Sequence, residues 1–229
     1  APEVPLAQDA KIIGLVGLAH ASSHFSHLLL PPLFPLFAAE FGLSFSQLGF
    51  LMTVFFIISG TGQALSGFFV DKVGARPVLF ASFVCFICAC LAGYFARGYG
   101  GLMLVAMFAG LGNAPFHPVD FSILNQRVST RRLGYAFSAH GLSGNLGWAL
   151  TPVFLLFFTA SQGWRAGYLA AAVLYACILA LLVFNRALLR TEVVHHAAGA
   201  GPGGGMSFMK MPVVWWCFSF FLLSTMTLA

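Results

Sequence analysis

The chain has 229 residues, of which 59% are hydrophobic and only 7% charged. Water-facing domains carry about 25% charged residues, so the composition excludes an ordinary soluble fold. The formal charge of +5 does not signal nucleic-acid binding, because the basic residues fall between apolar runs and report membrane topology.

A helix needs roughly 20 apolar residues to cross about 30 Å of hydrocarbon. Such runs occur at 11–37, 46–70, 77–96, 100–125, 133–158 and 166–189, with a partial one at 212–229. They predict an all-α membrane protein: a six-helix domain over 1–190, a flexible linker over 191–211, and the beginning of a seventh transmembrane helix over 212–229. Residues 1–10 are polar or small and the following apolar run is too long for a signal peptide, so no cleaved leader is expected. Phe41-Gly42-Leu43-Ser44 separates the first two spans, with Ser44 or Ser46 as N-cap of the second. The run Ala197-Ala198-Gly199-Ala200-Gly201-Pro202-Gly203-Gly204-Gly205 cannot hold a helix and reads as linker. Because the sequence stops within the seventh run, the expectation is half of a larger architecture, as a fragment or as a half-length chain with a partner.

With the N-terminus inside, the cytoplasmic segments hold Lys11, Lys72, Arg76, Arg127, Arg131, Arg132, Arg186, Arg190 and Lys210. The other side holds only Arg97 and Arg165. Nine against two places the N-terminus and the linker in the cytoplasm of a multi-pass protein of the cell inner (plasma) membrane. The five cysteines (Cys85, Cys88, Cys90, Cys177 and Cys217) all lie in apolar runs and read as packing residues.

The loop between spans two and three reads Gly67-Phe68-Phe69-Val70-Asp71-Lys72-Val73-Gly74-Ala75-Arg76-Pro77. It resembles the G-x-x-x-D-[RK]-x-G-x-[RK] signature of the major facilitator superfamily and stands where that superfamily carries it. On this reading Gly67 permits close helix approach, Gly74 makes the tight turn, and Lys72 and Arg76 anchor to headgroups or a helix end. The resemblance implies that Gly67, Asp71, Lys72, Gly74 and Arg76 form a gating motif rather than a substrate site. It also implies a six-helix half-bundle of two inverted three-helix repeats, in which spans one and four correspond and line a central cavity.

A narrower resemblance, to the fosmidomycin-resistance type of efflux transporter, covers residues 20–170. It is carried by His24-Phe25, Leu30-Pro31-Pro32-Leu33-Phe34-Pro35-Leu36 and Glu40-Phe41-Gly42-Leu43-Ser44-Phe45-Ser46-Gln47-Leu48-Gly49. Gly112-Asn113-Ala114-Pro115-Phe116-His117-Pro118 and Gly141-Leu142-Ser143-Gly144-Asn145-Leu146-Gly147 continue it. The chain departs from that pattern at His27, where the family tends to carry an acid, and at Val119-Asp120, where it tends to carry Glu directly after His-Pro.

Ionisable groups at membrane depth cost roughly 2.5–3.5 kcal/mol each on insertion scales and therefore mark function. Span one carries His20, His24 and His27, whose spacing puts them on one helical face. Span four carries Asn113, His117 and Asp120, and span five His140 and Asn145. Histidine precedes proline in spans one and four (His27 before Pro31-Pro32, His117 before Pro118), which predicts two kinked polar helices sharing a site. His24, His27, Asn113, His117, Asp120, His140 and Asn145 are the candidate residues for substrate and proton coupling. A weaker alternative reads His20, His24, His27 and His117 as a transition-metal site. Gly60, Gly62, Gly67, Gly110, Gly112, Gly141, Gly144 and Gly147 are expected to be helix-packing contacts.

These residues point to a secondary active transporter working by alternating access, a proton-driven carrier of a small polar or anionic solute or drug. The alternatives are a non-transporting subunit of a larger membrane complex and a transition-metal permease. No cofactor is expected, and no nucleophile–base pair or phosphate-cradling loop suggests an enzyme. The expected partners are the bilayer, a small-molecule substrate, protons, and a C-terminal half or a larger complex; no nucleic acid is among them.

Overall fold

A computed structural model of the chain describes residues 5–193 and 210–226. The chain divides into two compact units, residues 1–193 and 194–229. The first contains α1 (Leu6–His27), α2 (Phe34–Phe41), α3 (Phe45–Val73), α4 (Ala75–Tyr94), α5 (Tyr99–Asn113), α6 (Phe116–Arg127), α7 (Leu133–Gln162) and α8 (Trp164–Phe184). In the second, α9 (Pro212–Met226) starts on a proline, whose missing N–H is harmless in a first turn. Residues 194–209 of the expected linker lie outside the described residues.

The helices of the first unit make six spans, because α1 with α2 and α5 with α6 each cross as one broken element, Leu6–Phe41 and Tyr99–Arg127. Local chemistry sets several boundaries. Ser44 accepts from the Gln47 amide at 3.2 Å and Gln47 reaches back to the Ser44 amide at 2.9 Å, a reciprocal cap that starts α3. Gly74 takes φ +83°, the left-handed turn between α3 and α4 that a side chain would strain.

The break in span one follows His27, as its prolines imply. In span four it falls at Ala114-Pro115, not at Pro118. Pro118 sits in the first turn of α6, where the N–H it lacks would have no helical partner. Both broken spans therefore interrupt their backbone hydrogen bonding beside the polar side chains described below.

Close approach explains the packing around α7 and α5. A Cβ on Gly147 would lie 2.2 Å from the Ala21 carbonyl oxygen, and one on Gly144 2.9 Å from His24. Gly110 meets the Phe55 carbonyl at 2.8 Å, Gly112 the Phe86 ring at 2.7 Å, and Gly62 the Ala114 methyl at 2.7 Å. Gly60, Gly67 and Gly141 differ from expectation: no atom lies within 4 Å of a Cβ built on them. They lie on faces of α3 and α7 that the unit itself does not cover. Those two helices are only 22% buried over their most apolar stretch, against 56% and 61% for spans one and four.

Each end of the unit is pinned by polar contacts. At the basic end, Asp9 is fully buried and accepts from Ser129 Oγ at 2.5 Å and Arg132 Nη1 at 2.7 Å. Arg76 donates to the Arg186 carbonyl at 3.4 Å and Arg127 to the Leu188 carbonyl at 3.2 Å. The Ala75 amide donates to Thr191 Oγ1 and the Glu192 amide to Gln126, so the first residues of the expected linker are tied to the helical unit. At the opposite end Glu40 accepts from Trp164 Nε1 at 2.5 Å and Arg165 Nη1 at 2.9 Å. Span six is shorter than the apolar run, since α8 ends at Phe184 and turns follow.

Candidate functional site

Three elements bring the polar residues together. The spacing of His20, His24 and His27 sets them along one side of α1. α6 supplies His117 and Asp120, and α7 supplies His140. The glycines on α7 let it approach α1 closely enough for the His20 and His140 rings to stack, centroids 3.5 Å apart.

Asp120 is the centre of the first group. It is fully buried, and its Oδ2 lies 3.1 Å from both His20 Nδ1 and His140 Nε2. When the carboxylate is ionised it only accepts, and each facing nitrogen that carries a proton donates to it. Asp120 Oδ1 and His117 Nδ1 are buried beside this pair without a hydrogen-bond partner. The His117 ring lies 5.4 Å from His20 and 5.9 Å from His140.

A second group centres on Asn113. Its Oδ1 accepts from Ser23 Oγ at 2.6 Å and His27 Nε2 at 3.0 Å, and its Nδ2 donates to Ser59 Oγ at 2.6 Å. His24 joins the two groups, with its ring 4.5 Å from His20 and 5.1 Å from His27. Trp148 lies 4.5 Å from His24, and Phe121 covers His117 and His140 at 5.8 and 5.5 Å. Asp120 is seven residues from Arg127 and His140 eight from Arg132. At 1.5 Å per residue the site is about 10–12 Å in from the basic end, against a hydrocarbon half-thickness of about 15 Å.

The structure thus gathers His24, His27, Asn113, His117, Asp120 and His140. Asn145 is not among them; it is exposed on the uncovered face of α7. His20, which sequence reasoning kept only for the metal alternative, is the residue of span one that meets Asp120. The metal alternative also changes membership. His20, His117 and His140 have ligand atoms within 4.8 Å of one another, while His24 and His27 extend away toward Asn113. Ser23, Ser59 and Trp148 were missed. Ser59 carried a signal, a hydroxyl beside Gly60 inside an apolar run, and Trp148 follows directly on the glycine motif of span five.

Within the expected gating motif, Gly74 makes the turn and Arg76 binds the end of α8, while Asp71 and Lys72 are exposed. The sequence profile of the Major Facilitator Superfamily matches residues 16–229. The chain belongs to the Major Facilitator Superfamily. It is 30% identical over 172 residues to the fosmidomycin resistance protein of Escherichia coli (strain K12), covering 74% of this chain and 42% of that one. It is 26% identical over 159 residues to the probable sulfoacetate transporter SauU of Cupriavidus necator, covering 69% and 37%. A peptide transporter POT in complex with alafosfalin superposes with a TM-score of 0.70 at 17% identity, over 95% of this chain and 50% of that one. The proton:xylose symporter XylE gives 0.69 at 16%, over 78% and 45%. The chain spans less than half the length of these curated relatives. Together the family and the six spans identify a multi-pass membrane protein of that superfamily.

Proposed function

We propose that this chain is the N-terminal half of a proton-coupled, alternating-access transporter for a small polar or anionic solute, with the His/Asp group as its coupling site. The observation that carries the reading is Asp120: a fully buried carboxylate at membrane depth, bonded to histidines from spans one and five. A group so placed has a functional reading by default. The neighbouring His27–Asn113 pair stands at the breaks of spans one and four, where free backbone carbonyls are tolerated only next to protein or water.

An anionic solute is supported by the names of relatives: a probable sulfoacetate transporter, a probable L-galactonate transporter and a citrate exporter, at 25–26% identity. A second six-helix half, in the same polypeptide or another, is supported by the uncovered apolar faces of α3 and α7 and by the greater length of the relatives. The distribution of basic residues supports a plasma-membrane protein with a cytoplasmic N-terminus.

The test is uptake into proteoliposomes of labelled sulfonates, sugar acids, tricarboxylates and phosphonates, with and without an imposed pH gradient. Accumulation of one class that collapses with a protonophore supports the proposal. No gradient-dependent flux of any class, from protein that is folded and correctly inserted, refutes it.

A further inference from the structure

A carrier for an anion needs positive charge at its binding site, and this site has none of its own. Asp120 is the one Asp, Glu, Lys or Arg deep within the spans among the described residues. With neutral imidazoles the group around it carries a net charge of −1. The donor set, however, is that of a metal centre: the imidazoles of His20, His117 and His140 have ligand atoms within 4.8 Å of one another, and the Asp120 carboxylate is bonded to two of them. Building on the solute reading above, we propose that His20, His117, His140 and Asp120 bind one divalent transition-metal ion, of the Zn²⁺ or Co²⁺ class. The metal gives the site the positive charge that an anionic solute requires.

The geometry is close to what such an ion demands. Metal–ligand bonds of about 2.0–2.1 Å in a tetrahedral arrangement set ligand atoms about 3.4 Å apart. His20 Nδ1 and His140 Nε2 already lie 3.1 Å from Asp120 Oδ2, and the three imidazoles have ligand atoms within 4.8 Å of one another. His117, whose ring lies 5.4 Å from that of His20 and is only partly buried, closes the set by moving toward Asp120. Two buried atoms of this group, His117 Nδ1 and Asp120 Oδ1, lack any hydrogen-bond partner. Unsatisfied buried polar atoms are rare enough to need a cause, and a bound ion supplies one. Imidazole with carboxylate suits zinc, cobalt or nickel rather than calcium or magnesium, which take all-oxygen shells. Gly144 keeps space beside the rings, since a Cβ there would lie 3.1 Å from His20 Nε2.

The experiment uses the purified protein in detergent, stripped with a chelator and titrated with CoCl₂ and ZnCl₂ in the absence of any solute. Expected are one ion per chain and a visible Co²⁺ absorption of nitrogen-rich, four- or five-coordinate character. Asp120→Asn and His140→Gln should each weaken binding by about 100-fold or more, beyond the 10–100-fold typical of residues that only support a ligand. His195→Ala with His196→Ala should leave the stoichiometry at one, which separates the site from the histidine pair in the linker. No bound ion in the wild type overturns the proposal, as does an ion that survives both Asp120→Asn and His140→Gln. If a variant does not fold, the wild-type stoichiometry and Co²⁺ spectrum decide alone. Metal binding is read without solute or flux, so its failure leaves the transporter reading standing. Absence of transport, in turn, leaves metal binding measurable.

Discussion

Replacing Gly147 by alanine tests the contact that assembles the site. The new methyl carbon would lie 2.2 Å from the Ala21 carbonyl oxygen and 3.0 Å from His24 Cβ, where ordinary contact begins near 3.4 Å. Neither neighbour is the end of a flexible chain: one is backbone and the other the root of a side chain. The helices α1 and α7 must therefore part by roughly 1 Å, and overpacking of this kind costs about 1–3 kcal/mol. The same displacement would stretch the 3.1 Å bonds that hold Asp120 between His20 and His140 beyond hydrogen-bonding range. Thermal unfolding in detergent is the assay, with Gly14→Ala as the control. Gly14 is on α1, the partner helix of α7, no atom of the described residues lies within 4 Å of its added methyl, and alanine gains up to about 1 kcal/mol of helix propensity there. Gly147→Ala should melt several degrees below wild type and Gly14→Ala at or above it. If Gly147→Ala melts like wild type, α1 and α7 do not approach as described.

Three further perturbations probe separate links. Asp9→Ala removes the acceptor shared by Ser129 and Arg132 and should destabilise the protein by roughly 2–3 kcal/mol in thermal unfolding. That is below the 3–5 kcal/mol of a fully buried pair, because the Arg132 side chain is 23% exposed; an unchanged melt would remove Asp9 from the framework. Asn113→Leu leaves Ser59, Ser23 and His27 without their common partner, for a loss of about 1–3 kcal/mol and reduced solute affinity in a binding titration. Asp71→Asn, at an exposed site in the gating motif, should slow transport while leaving solute affinity within a few-fold; complete loss of binding would contradict a gating role.

The spans were legible because hydrocarbon imposes a length and a composition that few soluble sequences share. The relation between spans was not. Asp9 looked like part of a polar N-terminal tail, yet α1 begins at Leu6 and Asp9 is buried by residues 120 positions further on. Proline showed that span four breaks, but Pro115 and Pro118 are both present and only the first interrupts the helix. The i, i+4, i+7 spacing established that three histidines share a face. It could not say that His20, rather than His24 or His27, meets Asp120, because that depends on how far α1 and α6 slide past each other. Glycine function likewise needed partners: Gly144 and Gly147 face α1, while a Cβ built on Gly141 of the same helix would meet no atom of the described residues within 4 Å.

The central claim is that the carboxylate of Asp120 couples the proton to the solute, and the direct measurement compares two modes of transport in proteoliposomes containing Asp120→Asn. Solute-for-solute exchange needs only binding and the conformational cycle, whereas accumulation driven by a pH gradient also needs a group that gains and loses a proton. The account predicts that Asp120→Asn, with Zn²⁺ supplied in excess of its weakened site, retains exchange and loses gradient-driven accumulation. Wild-type accumulation in that variant would contradict it.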